Sequence, residues 1–449
     1  MTRGSVSQNN CRQLERSPLI GAETAPIEDL IAQFGHLSEP DSEPGVTRLA
    51  YTPLERRAHE LFADRMRALG LTVWADAAGN TIAEIAGTEP GLPAIGTGSH
   101  LDSVPHGGRY DGIAGVVAAM EIARLKTEKK IEHRHPLRFI AFANEEGARF
   151  GQACIGSRIV AGLTTRTDLD RLTDANGVTT AEAMSTVGID PALVSEAQWV
   201  PDQWAAFLEL HIEQGSVLTS LDIPIGVVDL ISGSTRLQLT LHGRAAHTGG
   251  TPMHLRADAL AAAAEIVLQA EALATDTRHR GTRITVGKLD VEPGSITTIP
   301  GKCTLAVDIR DVDSDRQRES AVELIAAAQA IGKSRHVTVD VELLADASPA
   351  VLPAWVRDEI IGAAVGLGLG YRVMPSGASH DSQMIGHVCP VGMVFVPSQN
   401  HGVSHAPDEY TTASDLALGV EVLASALHAL DHTLNPSDVP QRVEGDNDD

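Results

Sequence analysis

Residues 98–115 read G-S-H-L-D-S-V-P-H-G-G-R-Y-D-G-I-A-G, and their flanks restrict the fold more than any other stretch of the chain. Residues 92–97 form a short apolar run of buried-strand type, and residues 113–125 carry apolar side chains at helical spacing. A strand, a polar loop and a helix make the unit of an open α/β sheet, which gathers ligands at the carboxyl ends of its strands. His100, Asp102 and Asp111 fall on that loop beside Gly107, Gly108 and Gly112, where flexible backbone can turn side chains inward. One imidazole and two carboxylates suit a divalent cation, zinc first, with manganese and cobalt as competitors. Taken alone, the same residues also fit a polar turn and a capped helix, since Asp is a good N-cap.

The arrangement recurs along the chain. The apolar run 137–143 leads into Asn144-Glu145-Glu146-Gly147. Side chains of adjacent residues diverge, so one Glu can bind a cation while the other stays free to take a proton from water. A solvated acidic turn is the competing account. Residues 206–210 deliver His211-Ile212-Glu213-Gln214-Gly215, and the run 391–396 precedes Gly402-Val403-Ser404-His405-Ala406-Pro407. One histidine beyond a strand is more often hydrogen-bonded structure than a ligand. Four such sites, all at strand ends, point to one shared centre.

Together the blocks G-S-H-x-D-S-V-x-x-G-G-x-x-D-G, N-E-E-G-x-R-F, H-I-E-Q-G and G-x-S-H-x-P resemble a branch of the zinc aminoacylase and carboxypeptidase family. That branch contains N-carbamoyl-L-amino-acid hydrolases, allantoate amidohydrolases and β-ureidopropionases, and the resemblance covers about residues 26–434. It implies two divalent ions per subunit, zinc first and manganese or cobalt as alternatives, held by His100, Asp111 as bridge, Glu146, His211 and His405. Glu145 is then the general base, and Asp102 fixes the His100 tautomer from behind. His380 and Asp381, in S-G-A-S-H-D-S, support the ligands; alone they also read as a structural histidine and a helix cap.

Between the third and fourth blocks the rhythm changes. Residues 235–241, 284–291, 303–311 and 337–343 read as strands, and residues 255–273 and 315–331 as helices. The order strand, helix, strand, strand, helix, strand predicts a four-stranded antiparallel sheet with two helices on one face. The expected fold class is α/β: a two-domain metallopeptidase-like fold, with an α/β/α catalytic domain (26–232 and 347–434) and an inserted α+β lid or dimerisation domain (233–346). Residues 1–25 and 435–449 are expected to be disordered tails.

The resemblance also assigns roles within and around the insert. His247, in A-H-T-G-G-T-P-M, matches a histidine that stabilises the oxyanion across a dimer interface, and Arg310 matches the arginine that grips the substrate carboxylate. Gln214, Thr297 and Ser379 fall at substrate-contact positions. Thr297 is a departure, because the branch usually has Asn there, and a hydroxyl lacks the amide's paired donor and acceptor. Without the resemblance, His247 reads as a surface turn and Arg310 as a salt-bridged strand residue.

Composition narrows the partners. The 449 residues, 43% hydrophobic, exceed one compact domain, and 59 acidic against 35 basic residues give a net charge of −24. Such a chain repels nucleic acid and anionic membranes, and no stretch reaches ~18 consecutive apolar residues. Cys11, Cys154, Cys303 and Cys389 are scattered and form no metal or disulfide pattern, and the polar first 25 residues lack a signal-peptide core. A cytoplasmic homodimer is expected. Its expected activity is metal-dependent hydrolysis of a linear C–N amide or ureido bond in an N-carbamoyl-L-amino acid. Allantoate, β-ureidopropionate and, further off, acyl or peptide substrates remain as alternatives.

Overall fold

A computed structural model of the chain describes residues 20–434. Its larger sheet has nine strands. From one edge the order is Thr72–Ala75, Thr81–Ile85, Leu137–Phe142, Ala94–His100, Trp204–Ile212, Val391–Val396 and Ile225–Ile231, with Ala350–Val351 and Tyr371–Ser376 both pairing the last. The central pairs are parallel: Ala94–His100 with both neighbours, and Trp204–Ile212 with Val391–Val396. Parallel strands covered on both faces read as continuous apolar runs. All nine residues of Trp204–Ile212 and all six of Val391–Val396 are buried.

Helices cover both faces. On one, Thr24–Gly35, Pro53–Ala68, Ile113–Lys129, Ala354–Gly366 and Ala413–Thr433 contribute Phe34, Phe62, Val117, Ile360 and Leu423 to one core. On the other, Ile155–Val160, Arg166–Arg171 and Thr180–Thr186 bury Ile155, Leu169 and Met184 beside Phe142 and Phe207. Helix Ala413–Thr433 is long and apolar enough by composition to cross a membrane. Its apolar residues are accounted for here by burial, with Leu416, Val420, Leu423, Leu427 and Leu430 all in the core.

The smaller sheet has four antiparallel strands in the order Thr338–Ala347, Gly233–His242, Lys302–Asp311, Arg283–Glu292. Helices Ala259–Thr275 and Ser314–Ser334 pack on one face, where Leu237, Leu239, Leu305, Val307 and Ile309 join Ile266 and Leu324 in a separate core. Period-2 alternation turns Arg236, Asp308 and Arg310 to the other face.

The expected amino-terminal tail is corrected at its end. Thr24–Gly35 is helical, with Ile27, Ile31 and Phe34 buried at helical spacing. Before it, the amides of Ile20, Gly21 and Ala22 donate to the Glu421 carboxylate at 2.8, 2.6 and 2.6 Å, which satisfies an acid on a core helix. Residues 1–19 and the expected tail 435–449 lie outside the described residues.

Candidate metal centre

The strand ends bring three imidazoles and two carboxylates together. His100 closes its strand, and its Nε2 lies 3.5 Å from Asp111 Oδ1; His211 Nε2 lies 3.1 Å from the same oxygen. His405 Nε2 sits 3.4 Å from Asp111 Oδ2 and 3.2 Å from Glu146 Oε2. Two groups result, His100–Asp111–His211 and Asp111–Glu146–His405, each with ligand atoms within 4.8 Å of one another. Asp111 belongs to both. Gly112 makes the approach possible: at φ +67 it holds a left-handed turn, and a Cβ there would overlap the His100 ring. Gln214, His405 and Asn144 also take left-handed conformations at the ends of their strands, as strained residues at functional sites tend to do.

Hydrogen bonds fix which ring nitrogen faces the centre. His211 Nδ1 lies 2.9 Å from the Ile212 carbonyl and His100 Nδ1 lies 3.2 Å from the Asp102 carbonyl, so each Nδ1 carries the proton and each Nε2 is turned inward. Asp102 therefore orients His100 through its main chain rather than its carboxylate, which stands 3.6 Å from the ring. The carboxylate instead accepts the amides of Glu145 at 2.8 Å and Glu146 at 3.1 Å, holding that turn under the cavity.

The electrostatics call for cations. Burial works against charge at every one of these groups, yet the carboxylates of Asp102 and Asp111 hold His100 well above its ordinary value. Partial desolvation opposes charge on His405, whose side chain is half exposed, but Glu146 and Asp111 lift it to about 11. In return His211, His100 and His405 keep the buried Asp111 carboxyl well below the usual range. Protons here occupy places that divalent ions would take, and ion binding would release them. Three imidazoles and two carboxylates are a donor set that would suit borderline divalent ions, and Asp111 is the residue the two groups share.

Glu145 stands apart from both ligand groups. Its Oε2 lies 3.8 Å from His100 Nε2, and its Oε1 accepts the Cys154 thiol at 3.0 Å. Burial, opposed by His100 and helped by Glu146, raises its carboxyl to about 7. His380 lies behind the centre, its ring 4.6 Å from that of His211 and its Nε2 2.7 Å from Ser376 Oγ; burial and His211 keep it well below its ordinary value, hence neutral. Asp381 accepts from Ser157 Oγ, and burial with Glu209 pushes its carboxyl well up.

Four contributors went unread in the sequence. Ser404 Oγ bridges Asp111 Oδ2 at 2.8 Å and Glu409 Oε2 at 2.7 Å, while Glu409 Oε1 accepts the amides of Tyr110 and Asp111 at 2.9 Å each. Glu209 accepts from Ser99 Oγ at 2.8 Å and from the Ser382 amide at 3.0 Å. Cys154 is the fourth. The signals within reach were Ser404 inside G-x-S-H-x-P and a single acid, Glu209, two residues before His211 in a strand whose other residues are apolar.

The substrate contacts expected from sequence divide. Gln214, Arg310 and Ser379 line a cavity of about 640 Å³ with the ligands. Gln214 Nε2 is also committed to Asp111 Oδ2 at 2.6 Å. Thr297 and His247 do not line it: His247 lies on the strand pair Ala246–His247 and Thr298–Ile299, Thr297 immediately precedes that pair's second strand, and both are exposed. His247 Nδ1 accepts the amides of Gly249 and Gly250 at 3.1 Å each, which leaves the proton on an outward Nε2. A larger cavity, about 810 Å³, lies along residues 346–353 and holds none of the ligands. The candidate ligands line only the smaller one.

Residues 96–429 match the model of peptidase family M20/M25/M40. The chain belongs to this family. It is 41% identical over 399 residues to an N-carbamoyl-L-amino acid amidohydrolase of Geobacillus stearothermophilus, covering 88% of this chain and 96% of that one. It is 36% identical over 401 residues to the allantoate amidohydrolase of Escherichia coli strain K12, covering 87% and 94%. Among solved structures it is similar to an amidase of the hydantoinase/carbamoylase family from Burkholderia vietnamiensis, with TM-score 0.86 and 31% identity over 92% of this chain and 98% of that one. The α/β fold and the resemblance read from sequence both stand.

Proposed function

We propose that this member of the family is a metal-dependent amidohydrolase that cleaves the linear ureido C–N bond of an N-carbamoyl-L-amino acid. The observation that carries the reading is Glu145, buried beside His100 and outside both ligand groups, on a chain 41% identical to such an enzyme over nearly its full length. His100, Asp111, Glu146, His211 and His405 hold the ions. When bound, two divalent cations polarise the ureido carbonyl and acidify a water molecule. Glu145 takes a proton from that water while the oxygen bonds to the ureido carbon, then returns it to the leaving nitrogen as the C–N bond breaks. The carbamic acid released falls to ammonia and carbon dioxide, leaving the free amino acid.

Arg310 holds the substrate's carboxylate: its Nε is pinned 2.9 Å from Asp308, and its Nη1 lies 3.3 Å from the Gly377 carbonyl at the cavity wall. His247 serves a second subunit. Its outward Nε2–H is a ready oxyanion donor, yet it stands outside its own chain's cavity, and Met253 and Ile296, near in sequence to His247 and to its paired strand, are 76% and 97% exposed. A C2 dimer would exchange two such histidines. Residues 233–346 then act as a lid and dimerisation domain, and zinc is the ion the imidazole-rich set favours.

Allantoate is the second reading, supported by the relative from Escherichia coli strain K12. Turnover of N-carbamoyl-L-amino acids, allantoate, β-ureidopropionate and N-acetyl amino acids, each with zinc, manganese and cobalt, tests both. Ammonia release from N-carbamoyl-L-amino acids above all others is expected. Faster release from allantoate would replace the first reading with the second, and cleavage of N-acetyl substrates alone would remove both.

A further inference from the structure

Four guanidinium groups line the cavity that holds the ligands: Arg236, Arg283, Arg310 and Arg372. In a chain of net charge −24 this is an uncommon concentration of cations. One carboxylate on the small sheet answers them. Asp308 pairs with Arg310 at 2.9 Å and lies 3.8 Å from Arg236. Of the cavity's acids, Asp111, Glu145 and Glu146 face the histidines, and Glu213 is spent on the amides of Val217 and Leu218 at 2.7 and 2.9 Å. Among the described residues, neither Arg283 nor Arg372 has a carboxylate within ion-pair distance.

Arg283 stands beside another cation. Arg283 and Arg310 are direct cross-strand partners, which sets two like charges side by side on one face. Both heads converge on Gly377: Arg310 donates to its carbonyl, and a Cβ at that position would stand 3.0 Å from Arg283 Nη1. The missing side chain at Gly377 lets the second guanidinium approach. Arg372 reaches the same cavity from strand Tyr371–Ser376 of the larger sheet.

We infer that this site takes a dicarboxylate, an N-carbamoyl-L-amino acid whose side chain ends in a carboxylate as in aspartate or glutamate, with Arg283 and Arg372 holding that second anion. The inference rests on the amidohydrolase reading, in which Arg310 is occupied by the substrate's main carboxylate. Two guanidinium groups without acidic partners then remain for a second one, and a charge-assisted bond to it is stronger than any to a neutral amide.

The test compares acid with isosteric amide: N-carbamoyl-L-aspartate with N-carbamoyl-L-asparagine, and N-carbamoyl-L-glutamate with N-carbamoyl-L-glutamine. The acid of at least one pair should be favoured in kcat/KM by roughly tenfold or more. In Arg283→Gln and Arg372→Gln that ratio should collapse toward one. Equal kcat/KM within both pairs, or a ratio untouched by both substitutions, overturns the inference and leaves Arg283 sharing a single carboxylate with Arg310. If no N-carbamoyl substrate is turned over, the amidohydrolase reading fails, and calorimetric binding of the same pairs to the intact protein decides the dicarboxylate separately. Tighter binding of the acid supports it; equal affinity sinks it.

Discussion

The ligand cluster and the arginine face line one cavity but are built differently. His100, Asp111 and His211 sit at the ends of central strands or the loops after them, are 2%, 8% and 1% exposed, and are each held by further hydrogen bonds. Arg283 and Arg372 are exposed, and one of them stands on the edge strand of the small sheet. On the proposed reading, the groups that do chemistry are held mostly in the buried part of the larger sheet, while those that would read the substrate lie on exposed positions where a substitution disturbs little else. Reaction and selectivity should therefore respond separately to mutation.

The strongest test of that separation is Glu145→Gln, which keeps shape and removes the proton acceptor. Turnover should fall by roughly a thousandfold while metal content, measured by elemental analysis, stays constant. Substantial residual activity would end the general-base role. Asp111 joins both ligand groups, so Asp111→Ala should lose both ions, whereas His405→Ala should lose about one, since it belongs to one group only. Equal losses in the two variants would show that the groups do not act as two sites.

Next comes His247→Ala, which should lower kcat by roughly a hundredfold through loss of an oxyanion donor. Mixed with Glu145→Gln subunits, it should recover up to about half the wild-type activity per mixed dimer, because one site then holds both intact groups. If subunits demonstrably exchange and nothing returns, the histidine does not act across subunits. The smallest effect belongs to Arg310→Lys. A point charge in place of a planar fork should raise KM about tenfold with metal content unchanged. An unaltered KM would move the carboxylate to another group.

The clustering of these side chains was legible because His100, Glu146, His211 and His405 each come after an apolar run of buried-strand type, and the structure brings all four to Asp111 or its neighbours. What the sequence could not carry was contact between distant segments. Ser404 and Glu409 act on Asp111 from 293 and 298 residues away, and only the fold brings them together. The role of Asp102 differed for a related reason: its position behind His100 was evident, but the amides of Glu145 and Glu146 come from the turn after strand Leu137–Phe142 and take up its oxygens. The small sheet was readable chiefly through its two central strands, Gly233–His242 and Lys302–Asp311, whose faces alternate. Helix Thr24–Gly35 was lost to the polar residues preceding it, although Ile27, Ile31 and Phe34 keep helical spacing.

The chain enters and leaves the small sheet through neighbouring strands. Gly233–His242 and Thr338–Ala347 pair up to Ser234 opposite Ala347, and just across the crossing Ile231 pairs with Ala350. Two strands side by side form the strap that joins the small sheet to the larger one. Arg236, Arg283 and Arg310 all ride on the far side of this strap, so any swing of the small sheet carries three of the four cavity guanidinium groups along one shared arc. Their spacing from one another would survive opening and closing, and only their distance from the ions would change.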